Sequence, residues 1–211
     1  MKRYIPSILI SIFSVTLFAM PTDSVFIHLP DNILPTLGAK QRFEMAEYFK
    51  AGKADSTQNL FGKNAVITLY DTLNCHIRLV TSATGTTEIK RFYTADNSEI
   101  YGVINTVNTP VKTSSVCFYN ANWRKLKYKI ILPESGKWID EEKCKTEKAD
   151  YDQMKNIVRI AYYSLRFDAD NQLIIENNTL STLSEEDRKK VEKVWNEKSI
   201  KQDVFNLIRE K

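Results

Sequence analysis

Residues 65–80 read AVITLYDTLNCHIRLV, and their period decides the fold class. Ala65, Ile67 and Leu69 stand two apart with Thr68 between them, so an extended chain projects them to one side. Asp71-Thr72-Leu73-Asn74 is turn chemistry. The period then resumes, with Cys75, Ile77 and Leu79 on one side and His76 and Arg78 opposite. Two such runs joined by a short turn pair antiparallel.

The same period continues downstream. Strands are expected over Thr86–Tyr93 and Glu99–Val107, with Asp96-Asn97 turning between them, and again over Ser114–Tyr119. Leu126, Tyr128, Ile130 and Leu132 then alternate with Lys125, Lys127 and Lys129, which places one face in a core and the other in water. Residues 133–150 are polar and charged and are expected to form a surface loop with at most one helical turn. Ile157–Phe167 is rich in β-branched and aromatic residues and is expected to be a strand. Asp168-Ala169-Asp170-Asn171 turns it onto Leu173–Glu176.

The flanks are helical in period. Pro21, Pro30, Pro35 and Gly38 break residues 21–38 into extended, turn-rich chain. Phe43, Met45, Ala46, Tyr48 and Phe49 make a broad apolar face on a helix over 40–51, which Gly52 stops. Ser184 caps a helix whose first turn holds Glu185, Glu186 and Asp187 and whose inner stripe is Val191, Val194 and Trp195. Ile200, Val204, Leu207 and Ile208 predict a last amphipathic helix. Strands do not alternate with helices. The expected fold is therefore α+β: mainly antiparallel sheet, an N-terminal helix and C-terminal helices, with the helices packed on one face.

The start of the chain differs in kind. Lys2 and Arg3 precede an uncharged apolar run from Ile5 to Ala19, too short for a span of about 20 residues. It has the flanks and length of a secretory signal, with Ala19 the best cleavage position; an uncleaved anchor is the alternative. The expected organisation is a signal peptide over 1–20 and one α+β domain over 21–211, exported to the periplasm or outer-membrane surface of a Gram-negative bacterium. Removing the leader leaves 28 Lys and Arg against 26 Asp and Glu, a balance that makes no electrostatic case for nucleic acid. No transmembrane span is expected after cleavage.

Chemistry-bearing motifs are sparse. Cys75, Cys117 and Cys144 match no zinc spacing; export would permit one disulfide, but strand positions suit Cys75 and Cys117 as buried apolar groups. There is no G-x-S-x-G, and adjacency of Cys75 to His76 puts the two side chains on opposite sheet faces. Asp168, Asp170, Asn171 and Glu176 begin like a calcium loop, but Leu173 and Thr179 stand where that loop needs Gly and Glu. The acids Glu141, Glu142, Glu147, Asp150 and Asp152 single out no catalytic pair. No catalytic, cofactor-binding or metal-binding residue is assigned, and no cofactor is expected. The row Lys125, Lys127 and Lys129, with Trp123 and Arg124 beside it, is the candidate ligand or partner surface, since a basic row beside an aromatic ring can hold a polyanion or a sugar. The plainer alternative is a solvated strand face whose charges block edge pairing.

Two kinds of modification motif occur. Asn177-Asn178-Thr179 fits the N-glycosylation pattern. Asp23-Ser24-Val25, Asp55-Ser56-Thr57 and Asp71-Thr72-Leu73 resemble the Asp-Ser/Thr-apolar acceptor of some bacterial periplasmic O-glycosylation systems.

Further residues carry a family likeness. Leu29-Pro30, Leu34-Pro35, Leu37 and Arg42 lead to Asn59-Leu60 and Gly62, and then to Thr106-Val107, Pro110, Ser114, Phe118-Tyr119 and Trp123. This order is similar to an uncharacterised family of exported Bacteroidales proteins, domain of unknown function 3256. The likeness runs from about Val25 to Trp195 and departs at Gly62-Lys63, where the family has a glycine pair. It implies a Gram-negative envelope location and carries over no catalytic residue. The function expected is a non-enzymatic binding or interaction module whose partner is another envelope protein or a glycan. A hydrolase of envelope glycans or peptides, or an accessory subunit, is the alternative.

Overall fold

The computed structural model describes residues 21–53 and 56–210. The apolar run expected to be a signal, the cleavage position expected at Ala19, and Asp55 lie outside the described residues. Six strands form one antiparallel sheet in chain order: Thr57–Gln58 (β1), Asn64–Asp71 (β2), His76–Ser82 (β3), Gly85–Tyr93 (β4), Glu99–Val107 (β5) and Thr113–Asn120 (β6). Tyr128–Ile130 (β7) stands outside it and pairs with Ile208–Glu210 near the C-terminus. Tyr163–Phe167 (β8), Gln172–Asn177 (β9) and Ile200–Asp203 (β10) make a second, three-stranded sheet in the order β10-β9-β8. The expected α+β class and antiparallel pairing are what the chain adopts.

Both faces of the large sheet are covered. On one, Ile77, Leu79, Ile89, Tyr101 and Val103 pack against Val25 and Phe26 of Thr22–Ile27 (α1) and Met45 and Ala46 of Ala39–Lys50 (α2). On the other, Phe92, Ile104 and Phe118 pack against Leu165 and Phe167 of β8. Cys144 of Glu141–Glu147 (α3), Met154 of Tyr151–Ile157 (α4) and Val191 of Glu185–Glu192 (α5) join that second cluster. The helices, expected on one face, thus divide between two. Leu and Phe side chains buried to this degree contribute about 1.5–3 kcal/mol each, which is why neither face is left to water.

Several local expectations are corrected, each by a contact distant in sequence or by a cap. The alternation Ala65, Ile67, Leu69 breaks at a bulge between Ile67 and Leu69, so Tyr70 takes the buried place and Leu69 does not. Residues 21–38 include the short helix α1, held by Arg42. That guanidinium, 2% exposed, donates to the carbonyls of Ile27 and Leu37 and to Asp31 Oδ1. The expected loop 133–150 contains a 3₁₀ turn, Ser135–Trp138, and α3, with Trp138 and Cys144 buried. Asp140 caps α3 by accepting from the backbone N–H groups of Glu142 and Lys143. Asp150 likewise caps α4, so the strand expected from Ile157 begins only at Tyr163. The last segment is not one helix: Ile200–Asp203 pairs with β9 before a single turn, Val204–Leu207.

Candidate functional site

Where the small sheet meets the large one, a problem of unmet hydrogen bonds is solved with charged and hydroxyl side chains. Strand β8 pairs on one side with β9, so its other edge has free backbone groups inside the protein. Leu165 N–H donates to Ser114 Oγ at 3.0 Å, and Phe167 N–H donates to Glu88 Oε1 at 3.0 Å. Lys90 Nζ donates to the carbonyls of Asp168 and Ala169. Glu88 and Lys90 lie on one face of β4, and Ser114 on the neighbouring β6 presents its hydroxyl to the same strand. Gly102 of β5 permits the approach: a Cβ there would stand 2.7 Å from Phe167 Cζ.

Glu88 is the centre of this arrangement. It is 3% exposed and accepts from His76 Nε2 at 2.6 Å, from Arg78 Nε and Nη2 at 3.1 Å each, and from Phe167 N–H. A carboxylate only accepts, so His76 presents a protonated Nε2. Burial works to raise the Glu88 carboxyl, but the bonds from His76 and Arg78 outweigh it and hold it below the usual range. Burial pushes the Lys90 ammonium down, against the opposing pull of Asp168 and Glu88. Three of these bonds fall on Oε1 and one, from Arg78 Nε, on Oε2, so the carboxylate is committed to holding His76, Arg78 and the edge of β8.

Beside Glu88 opens a cleft of about 230 Å³. The large sheet lines it with Arg78 and Glu88 and, just before β6, Lys112; the small sheet lines it with Ser164, Arg166 and Glu176. Arg78 spends its Nε–H and one Nη2–H on Glu88, so three of its five N–H groups remain for other partners. Arg166 and Lys112 each reach Glu176 only loosely, at 3.8 Å. Glu176 accepts a firmer bond from Ser164 Oγ at 3.0 Å. Three cations against two carboxylates leave the cleft with one positive charge in excess.

The surface expected from sequence lies elsewhere. Trp123, in a turn with φ of 57°, stacks on Tyr101 at 4.6 Å and leans on Tyr119, on the face of the sheet opposite the cleft. Arg124 and Lys127 are exposed. Lys125 bridges to Tyr119, and its ammonium is raised by the Cys117 thiol beside it. Lys129 pairs through its backbone with Arg209. The structure therefore splits the row between an irregular hairpin return and the short β7, and gives Trp123 a packing role. None of the five lines the cleft. Sequence reading missed Glu88, Arg166 and Lys112 because no motif joins them. His76 and Arg78 were placed on the correct face, but that face is roofed rather than open.

Other candidates resolve into structure. Asp168 Oδ1 accepts from Asp170 and Gln172 N–H groups, closing a hairpin turn in which Asn171 has φ of 59°. Thr179 of the Asn177-Asn178-Thr179 motif is 1% exposed and bonds Asn177 Oδ1, while Asn177 Nδ2 donates to Ser135. Cys75 is fully buried and burial pushes its thiol up to about 11. Among the described residues, no group of three or more His, Cys, Asp or Glu is arranged to hold a metal ion, and no helix is long and apolar enough to cross a membrane.

Comparison with known proteins bears on fold and family. A domain of an uncharacterised protein from Porphyromonas gingivalis W83 superposes with a TM-score of 0.67 at 20% identity, over 85% of this chain and 91% of that one. At that identity the likeness concerns the fold alone. No curated protein matches the sequence. The family described as "Protein of unknown function (DUF3256)" matches residues 14–202, nearly the whole chain, and the protein belongs to it.

Proposed function

We propose that this protein is an exported, non-enzymatic binding module of the Gram-negative envelope, and that the cleft beside Glu88 receives an acidic group of its ligand. The observation that carries the reading is Arg78. Its guanidinium is oriented by two bonds to a buried carboxylate and keeps unspent N–H groups at the cleft, which Arg166 and Lys112 also line. A guanidinium fork held in this way suits a carboxylate or phosphate. The cavity is below the range of about 300–1,000 Å³ that encloses whole small molecules, so it suits one headgroup of a larger ligand. The commitment of Glu88 to Arg78, His76 and the edge of β8 supports binding rather than acid–base chemistry. The positive leader followed by the apolar run Ile5–Ala19 supports export.

The test has two arms. Cell fractionation reads location: recovery in the cytosol at full length overturns export. Titration of inorganic phosphate and acetate against the purified protein, followed by amide NMR at matched ionic strength, reads the cleft. Shifts should concentrate at Arg78, Ser164 and Arg166 and vanish in Arg166→Ala combined with Lys112→Ala. These two side chains are about half exposed and each pairs with Glu176 only at 3.8 Å, so the variant is expected to fold, which a thermal melt checks. Shifts no larger than those given by chloride, or unchanged in the double variant, overturn the assignment.

A further inference from the structure

The geometry points to Thr72, at the tip of the β2–β3 hairpin, as an acceptor hydroxyl for O-linked glycosylation. Two Asp-Ser/Thr-apolar tripeptides and a looser match, Asp55-Ser56-Thr57, occur, and the fold treats them differently. A transferase has to reach the hydroxyl and read the apolar residue after it, so those two residues need to be free of other packing. In α1, Ser24 Oγ lies 3.3 Å from His28 Nδ1 and Val25 is fully buried. Asp23 is held there by Tyr70 Oη and by Lys50 Nζ, each at 2.5 Å. At the second tripeptide, Thr57 is paired to Ala65 as part of β1, so its third position is committed to the sheet.

At Asp71-Thr72-Leu73 the hydroxyl residue and the apolar residue both stand in water, while Asp71 closes β2 opposite His76. Thr72, Leu73 and Asn74 are all exposed, and Leu73 is 86% exposed. A leucine in water at a hairpin tip adds nothing to folding, since the apolar area it would bury stays wet. It is suited to being read by an apolar pocket on another protein. The tip is also held in shape. Asp71 Oδ1 accepts from Leu73 and Asn74 N–H groups at 2.9 and 3.1 Å, and the Thr72 carbonyl accepts from Thr22 Oγ1 at 2.8 Å. These bonds use the Asp71 carboxylate, the N–H groups of Leu73 and Asn74 and the Thr72 carbonyl, and leave the Thr72 side chain exposed, so the acceptor is preorganised in the folded protein.

The step is a redox-neutral glycosyl transfer. Thr72 Oγ1 forms a bond to the anomeric carbon of a sugar carried on a phosphate or diphosphate. The anomeric C–O(phosphate) bond breaks, the phosphate leaves with the electron pair, and a base of the transferase takes the hydroxyl proton. Donor and transferase belong to the envelope of the host cell, so this inference rests on the export reading.

The test isolates full-length protein from its own host, separates envelope from cytosol, and measures intact mass and tryptic peptides. The expected result is an oligosaccharide mass on the peptide containing Thr72. It should be abolished by Thr72→Ala, kept by Thr72→Ser, and unaffected by Ser24→Ala or Ser56→Ala. Unmodified protein in the envelope fraction overturns this inference and leaves export standing. Unmodified protein in the cytosol overturns both. A glycan on Ser24 or Ser56 with Thr72 bare overturns the argument from accessibility. Thermal melts check that Thr72→Ala, at an exposed tip, folds like wild type.

Discussion

Replacing Glu88 with Gln tests how the two sheets are joined. The substitution keeps size and shape but removes the charge and turns one acceptor oxygen into an NH₂ group. In the folded protein that carboxylate takes four hydrogen bonds, two from Arg78 and one each from His76 and Phe167 N–H. A glutamine oxygen can keep one or two, and its NH₂ faces donors. Removing one partner of a fully buried ion pair costs about 3–5 kcal/mol. Arg78 is 30% exposed and recovers some solvation from water, which reduces the figure to about 2–4 kcal/mol. For a chain of this length that corresponds to a fall in Tm of roughly 5–15 °C. The pH dependence sharpens the test. Because the folded-state pKa of Glu88 is depressed, its stabilisation is fully present above the ordinary value of 4.5 and is lost as pH falls below it. Urea titrations of wild type and variant, followed by circular dichroism from pH 7 to pH 3, should show a gap that narrows below about pH 4.5. A gap under about 0.5 kcal/mol at pH 7, or one that is the same at both ends, refutes the reasoning.

Three further outcomes follow from particular contacts. Gly102→Ala should cost about 1–3 kcal/mol, because the new methyl meets Phe167 at 2.7 Å and Phe92 at 3.0 Å; a melt within error of wild type would show that the aromatic pair yields freely. Arg42→Lys should destabilise almost as much as Arg42→Met, since one ammonium cannot reach two carbonyls and Asp31 in that fork; equal stability of Arg42→Lys and wild type in urea would contradict this. In native protein at pH 8, a thiol reagent should label half-buried Cys117 well before Cys75, whose thiol burial pushes up to about 11; peptide mapping that finds Cys75 labelled as fast refutes it.

Much of the fold was legible because its signals are local. The hairpins β2–β3 and β4–β5 follow from a two-residue period and from Asp71 and Asp96-Asn97 at the turns. Helix α2 ends before Gly52, which has φ of 68°, and Ser184 caps α5 by accepting from Asp187 N–H. The caps Asp140 and Asp150 were equally local, each followed by acidic residues in the first turn, yet the density of charge around them read as loop. Other features had no local signal. Ile200–Asp203 carries helical spacing but becomes a strand because β9 offers it an edge. The bulge in β2 reverses the alternation that placed Leu69 inside.

The candidate cleft was illegible for the same reason. Arg78 and Arg166 are 88 positions apart in the sequence, and only the approach of β8 over Gly102 brings their walls together. By itself the sequence determined which segments extend, where they turn, and that an uncharged apolar run, Ile5–Ala19, follows Lys2 and Arg3. Tertiary structure alone decided that both sheet faces are covered, that Glu88 and Lys90 satisfy the free edge of β8, and which Asp-Ser/Thr-apolar tripeptide stands in water. Periodicity reports how a residue faces its immediate neighbours, whereas burial and charge pairing depend on what arrives from far along the chain.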